Sequence, residues 1–452
     1  MQKSSPAIKV LLLVFAMVGI FATHWLAAVP DEWLWWLAGA VASVFVLGTG
    51  IGAWVQRHAL RLLLSAAICC ATIPLIDVLL RTVVSPRATL RQWPTLPTAN
   101  VHYANVDFFG WHFGDLASMT GERRHRENRR IRYQTDAAGF RNSPPADDAP
   151  FDLVVLGDSF SVGTGTSQAE IFANQLARQA NLKVLNLSVS ASGPWAQFMY
   201  LRDQVPKRNV RRGAPLIWVL YTGNDLIDPY GPLEDPEIPW ADAATAQQIE
   251  AANFRRLSPL GQALQKLRSP GTNQHLVTEV PLSSDPQPLL FYKLNVPVAD
   301  WSPDDVRNRP EFPFLERTVA AVKAFANERS FPVRMFILPC KEEIYGWLLE
   351  GKEPWSVRRQ KSSFAAAVEQ LASANHIECV DLKPGLFAAA EREFQHCQLL
   401  WWHDDTHINP AGHAAVANLL RETLHPATSP AASSDIDPRP QLSRGPNDAV
   451  TR

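Results

Sequence analysis

Between residues 151 and 425 short apolar runs alternate with helix-like segments, and this alternation limits the possible folds more than any other feature of the chain. The runs are Phe151 to Leu156 (FDLVVL), Lys183 to Val189 (KVLNLSV), Pro215 to Tyr221 (PLIWVLY), Val333 to Leu338 (VRMFIL) and Ile377 to Leu382 (IECVDL). They are short and rich in β-branched residues, the pattern of strands buried on both faces. Between them, Ser167 to Ala180 reads as a helix opened by the capping box Ser167-x-x-Glu170. Leu315 to Arg329 and Ser362 to Asn375 read as further helices, and a last one starts with Asn409 as N-cap and Pro410 at the first helical position, ending near Leu424. Strands separated by helices imply an α/β domain with a parallel sheet whose faces are covered.

In such a sheet, ligands bind beyond the carboxyl ends of the strands. Gly157-Asp158-Ser159 follows the first strand, Ser190-Ala191-Ser192-Gly193 the second, and Gly223-Asn224-Asp225 the third. His403-Asp404-Asp405-Thr406-His407 precedes the last helix. A serine attacks a carbonyl only if a base takes its proton, which suits histidine, and the imidazole needs a carboxylate on its other nitrogen. Ser159, His407 and Asp404 are therefore the candidate catalytic residues, with Asp405 a rival for the acid. The tetrahedral intermediate needs donors aimed at its oxygen. The backbone N–H groups of Ser159 and Gly193 and the side-chain amide of Asn224 are the candidates. A metal cluster of His403, Asp404, Asp405 and His407 is the alternative reading of the last motif; otherwise no metal and no cofactor are expected.

The ordered set Gly157-Asp158-Ser159, Gly193, Gly223-Asn224-Asp225 and Asp404-x-x-His407 resembles the SGNH (GDSL-type) hydrolase superfamily. The resemblance implies a flavodoxin-like five-stranded sheet and hydrolysis or transfer of acyl esters. It also implies a nucleophilic Ser159, an oxyanion hole completed by Gly193 and Asn224, and a triad completed by Asp404 and His407. The family's acid lies two or three residues before the histidine, so Asp405 stays open. Asp-Thr-His-Ile-Asn together with a membrane anchor is similar to alginate O-acetyltransferase-like members, which act on exported polysaccharide.

Charged residues make up only 19% of the chain, below the usual quarter, and the deficit lies at the amino end. Val10 to Ala28, Trp33 to Val55 and Leu62 to Leu80 are apolar runs of roughly twenty residues, the length that spans a bilayer. Lys3, Lys9, Arg57 and Arg61 place the amino terminus and the second loop inside, so three transmembrane helices would put the rest of the chain on the extracytoplasmic, periplasmic side. Residues 1–84 are then the anchor and 85–150 an irregular connecting segment. The arginine cluster at 123–132 reads as a solvated or headgroup-facing loop. Residues 151–425 form the catalytic domain, with an insertion at about 228–310, and 426–452 are a disordered tail.

Lys plus Arg is 43 against 44 for Asp plus Glu, a net charge of −1 that argues against a nucleic-acid partner. Five cysteines exclude a disulfide scaffold, although Cys340 and Cys397 could pair. Lys341 and Glu342 follow the fourth strand, where they would either touch substrate or lie in a solvated loop. The expected function is a membrane-anchored, exported serine esterase removing small acyl groups, acetyl above all, from a glycan or lipid. An O-acetyltransferase acting on an exported polysaccharide, with envelope or polysaccharide-assembly partners, is the alternative, followed by a non-catalytic envelope scaffold.

Overall fold

A computed structural model describes residues 91–93, 96–143, 148–226, 273–282, 285–296, 301–351 and 361–424, with isolated helical positions in 61–80 and 244–248. The first two expected spans and the tail fall outside the described residues, and of the third only 68, 72 and 75–80 are described, all helical. Among the described residues no helix is long and apolar enough to cross a membrane.

The chain forms strands β1 (Arg91–Trp93), β2 (Leu96–Val101), β3 (Asp107–His112), β4 (Arg129–Gln134), β5 (Leu153–Leu156), β6 (Val184–Asn186), β7 (Leu216–Tyr221), β8 (Val277–Leu282), β9 (Asp285–Tyr292), β10 (Val333–Leu338) and β11 (Glu378–Asp381). Its helices are α1 (Asp115–Thr120), α2 (Ser159–Val162), α3 (Phe172–Ala180), α4 (Pro194–Gln204), α5 (Pro303–Arg307), α6 (Phe312–Arg329), α7 (Lys341–Leu349), α8 (Ser363–Ala374), α9 (Lys383–Phe394) and α10 (Pro410–Leu424). Five strands make one parallel sheet in the order β11-β10-β7-β5-β6. This is the flavodoxin-like order, and it reverses direction between β5 and β7, where a crevice opens above the strand ends.

Each face of the sheet carries its own apolar layer. Leu156, Trp218 and Met335 point toward α4, α6 and α8, which supply Met199, Val322 and Val368. Val155, Val219 and Phe336 point the other way, toward Leu176 of α3, Ile344 of α7, Leu386 of α9 and Val416 of α10. Every residue of β5 and β7 is buried, as expected of strands with helices on both sides.

The structure departs from the sequence reading at several points. The capping box at Ser167 does not open a helix: α3 begins at Phe172, and Ser167 Oγ instead accepts the N–H of Arg132 at 3.2 Å. The segment expected to be irregular at 85–150 contains two antiparallel hairpins, β1–β2 and β3–β4, with α1 between β3 and β4. The described end of the insertion folds as a third hairpin, β8–β9, whose Leu289 and Phe291 join the core below α7. Helix α4 escaped notice because nearly all its residues are buried, so it shows no single apolar stripe. Cys340 and Cys397 are both free, the first buried and the second exposed, so the possible disulfide does not form.

Candidate active site

The turn after β5 is shaped by tight packing. A side chain at Gly157 would put its Cβ 2.2 Å from Ser161 Oγ, so only glycine fits. Asp158 then caps α2 by accepting the N–H of Phe160 at 2.9 Å, which leaves Ser159 as the first helical residue. Burial pushes the Asp158 carboxyl up to about 6, against the opposing pull of Phe160 N–H and His407.

Ser159 Oγ lies 2.8 Å from Nε2 of His407, and Nδ1 of that ring lies 2.6 Å from Oδ1 of Asp405. A proton on Nδ1 satisfies both contacts: the ring donates to Asp405 and accepts from the serine hydroxyl. His407 rests on Phe160 with ring centroids 4.6 Å apart, and Phe160 stacks on Tyr221 at 3.8 Å. Burial would lower His407, but the charge and hydrogen bond of Asp405 outweigh it and hold the imidazole above its ordinary range. Burial likewise works to raise Asp405, yet His407, His112 and Arg129 together hold this carboxyl well below the usual range.

The acid facing His407 is thus Asp405, two residues before the histidine, and not Asp404. Asp404 is fully buried and points elsewhere: its Oδ2 accepts the N–H groups of Gly114 at 2.6 Å and Glu127 at 2.9 Å, and its Oδ1 meets Arg129. Three residues would span nearly one helical turn, but 404–407 is a turn in which the His407 N–H folds back on Asp405 Oδ1 at 3.2 Å. The alternative metal cluster does not assemble either, because His403 faces Glu127 and Asp285 at 3.5 and 3.4 Å. The ligating atoms that do converge, within 4.8 Å, belong to Asp115, Asp405 and His407, and these could hold a cation. All three already have hydrogen-bond partners, however, Asp115 accepting from both the N–H and the hydroxyl of Thr406.

A cavity of about 480 Å³ opens at the sheet's switch point and is lined by Ser159, His407 and Asn224. Its volume suits a small ligand. Gly223 beside Asn224 has no room for a side chain, since a Cβ would sit 2.4 Å from the Tyr221 ring. Gly193 is not among the cavity-lining residues. It caps α4, and its carbonyl accepts the N–H of Gln197. The β6–α4 loop reaches the cavity through Ser190 and Ala191 instead, and Ala191 holds a φ of 55°. A left-handed backbone is usually the mark of glycine, so the sequence signal pointed two residues too far along.

The opposite wall comes from the segment before the α/β core. His112, Asp115 and Tyr133 line it, together with Tyr292 of β9. Sequence reasoning missed this wall entirely. Burial, then the neighbouring Asp405 charge, push Asp115 up to about 7. Arg129, expected in a solvated loop, is only 8% exposed. It bridges Asp404 and Asp405 with both contacts at 2.7 Å. Lys341 and Glu342 are buried rather than solvated: Lys341 donates to the carbonyls of Leu290 and Trp402, and Glu342 accepts the N–H of Tyr292. They tie the β8–β9 hairpin to the loop that carries His407.

Residues 155–415, more than half the chain, match the GDSL-like lipase/acylhydrolase family. The chain belongs to that family. This places it in the SGNH superfamily and makes it, by class, an ester-acting hydrolase. No curated protein matches this GDSL-like chain in sequence. Among solved structures, it is similar to TesA at 12% identity and a TM-score of 0.32, over 61% of this chain and 98% of that one. It is also similar to the psychrotrophic esterase EstA from Pseudoalteromonas sp., at 11% identity and a TM-score of 0.31, over 62% and 98% of the two chains. The acetyl xylan esterase AlAXEase matches at 11% identity and a TM-score of 0.30, over 60% of this GDSL-like chain and 98% of its own.

Proposed function

We propose that the protein is a serine esterase that removes small acyl groups, acetyl above all, from a glycan or lipid, and that its amino-terminal apolar runs anchor it with the catalytic domain on the extracytoplasmic face of the cell membrane. One observation carries the catalytic reading: the unbroken chain of contacts from Ser159 Oγ through both nitrogens of His407 to Asp405, at 2.8 and 2.6 Å. Along that chain His407 takes the serine proton as Ser159 attacks the ester carbonyl, and Asp405 stabilises the positive imidazolium. The oxyanion is met by the N–H of Ser159 and by the side-chain amide of Asn224, which lines the cavity. The loop donor is the N–H of Ala191, in place of Gly193. His407 returns its proton to the departing alcohol, and water, deprotonated by the same ring, releases the acid.

A fluorophosphonate probe tests this. It is expected to label the wild type and not Ser159→Ala, and labelling of the variant would overturn the assignment. The anchor reading rests on Val10 to Ala28, Trp33 to Val55 and Leu62 to Leu80. A reporter fused after residue 90 is expected to be active only when exported, so a cytoplasmic signal would reverse the topology.

A second reading, O-acyl transfer, is favoured by the wall that His112, Asp115, Tyr133 and Tyr292 build across the cavity, because it leaves room for an acceptor hydroxyl beside the acyl-enzyme. Supplying an acyl donor with oligosaccharide acceptors separates the two: acylated sugar means transfer, and free acid alone means hydrolysis.

A further inference from the structure

The acid of the proposed triad is held from outside the α/β core. Asp405 presents Oδ1 to His407 at 2.6 Å and Oδ2 to Nη2 of Arg129 at 2.7 Å, so its two oxygens are divided between the base and a cation. Arg129 itself has little freedom. Nη1 meets Asp404 at 2.7 Å and the Glu127 carbonyl at 3.0 Å, Nε meets the Gly165 carbonyl at 3.1 Å, and the guanidinium lies 4.1 Å above the Trp402 ring. A planar group fixed on this many sides can orient a carboxylate in a way that a single point charge cannot.

We propose that Arg129 is a positioning residue of the triad, holding Asp405 in the orientation that serves His407 and offsetting part of its charge. The inference rests on reading Ser159, His407 and Asp405 as the catalytic set. It assigns the β3–β4 hairpin a part in the chemistry, although this hairpin precedes the region that matches the family. The other charged or titratable groups facing Asp405 and His407 are His112 on β3, Asp115 on α1, Asp158 before α2 and Lys341 on α7, with Asp404 adjacent in the chain. Arg129 bridges the two carboxylates, while His112 approaches only Asp405, with Nε2 3.5 Å from the same Oδ2.

The test uses the full chain, p-nitrophenyl acetate as substrate, and active sites counted with a fluorophosphonate probe. Arg129→Met is expected to lower kcat/KM per labelled site by about a hundredfold, the scale of loss when a reacting group is misplaced. Without the cation, protonated His407 gains stability, so the ionisation governing the rate should move up by about one pH unit. Arg129→Lys should restore the ionisation but only part of the rate, since an ammonium cannot span both carboxylates. Asp404→Asn is the structural control: it loosens the same anchor and should lower Tm, and because it removes an anion and leaves Arg129 on Asp405 it should not move the ionisation up.

A purely structural Arg129 would give an unchanged kcat/KM per labelled site and an unchanged pH profile, and that result overturns the proposal. If Arg129→Met does not fold, the lysine variant decides, because a wild-type rate per labelled site would equally overturn it. Failure of the underlying reading looks different: the wild type itself would not be labelled at Ser159.

Discussion

Asp404 and Asp405 are neighbours in sequence, yet their carboxylates serve different partners: Asp405 turns its Oδ1 to His407, whereas Asp404 gathers the N–H groups of Gly114 and Glu127. Arg129 bridges the pair. Both acids are buried, so the division of labour comes from orientation and not from access to solvent.

That division separates the two asparagine variants. Asp405→Asn should lower kcat by about four orders of magnitude, because the ring loses the partner that fixes its tautomer. Each variant breaks a buried contact with Arg129 and should cost about 3–5 kcal/mol in urea unfolding, but Asp404→Asn should keep most of the turnover per labelled site. Equal catalytic losses would mean that the acids share the role.

The base must be neutral to work, so the rate should rise with pH. Because Asp405 holds His407 above the ordinary imidazole value, the midpoint of kcat/KM should lie above about 6.5. Asp405→Asn removes the anion and should move that midpoint down in whatever activity remains. A wild-type midpoint well below 6.5 would contradict the electrostatics of the site.

His413 contributes one part of the loss of stability in acid. It is fully buried beside α3, its Nδ1 accepts the Phe172 N–H at 3.2 Å, and burial lowers it to about 3. The unfolded chain takes up a proton near pH 6.5 that the native state refuses until about 3. This contribution is therefore complete above 6.5 and shrinks as the pH falls, with a slope approaching about 1.4 kcal/mol per unit. Chemical denaturation between pH 7 and 4 should reveal that slope, and His413→Gln should flatten it.

Gly114 offers a purely steric test. A Cβ there would stand 1.8 Å from the carbonyl oxygen of Asp404, which is backbone and cannot rotate away. Gly114→Ala should cost about 3 kcal/mol and reduce labelling of Ser159 by displacing the acid loop. A stable, fully labelled variant would show that this approach is not needed.

The sheet was legible because β5, β7 and β10 are buried on both faces, and such strands leave continuous apolar runs in the sequence. Ser159, Asn224 and His407 were legible because each follows a strand or precedes a helix at the same sheet edge, and the structure brings all three to one cavity. The choice between Asp404 and Asp405 was not, since adjacent aspartates differ only in backbone direction. Ala191 was hidden because its left-handed backbone has no signature in an alanine side chain. Arg129 was hidden for a different reason: it sits within a run of arginines, and nothing in that run distinguishes the buried member from exposed ones such as Arg130.

The guanidinium clamp bears on where this enzyme can be cut. Family resemblance begins at residue 155, and a fragment started just before β5 would preserve the nucleophile, the imidazole and the whole parallel sheet. It would also leave two buried carboxylates side by side with their counter-ion deleted, so the trimmed protein is expected to be the less durable and less competent one. Excision, domain grafting or comparison with shorter relatives should take the hairpin and the sheet as one inseparable unit.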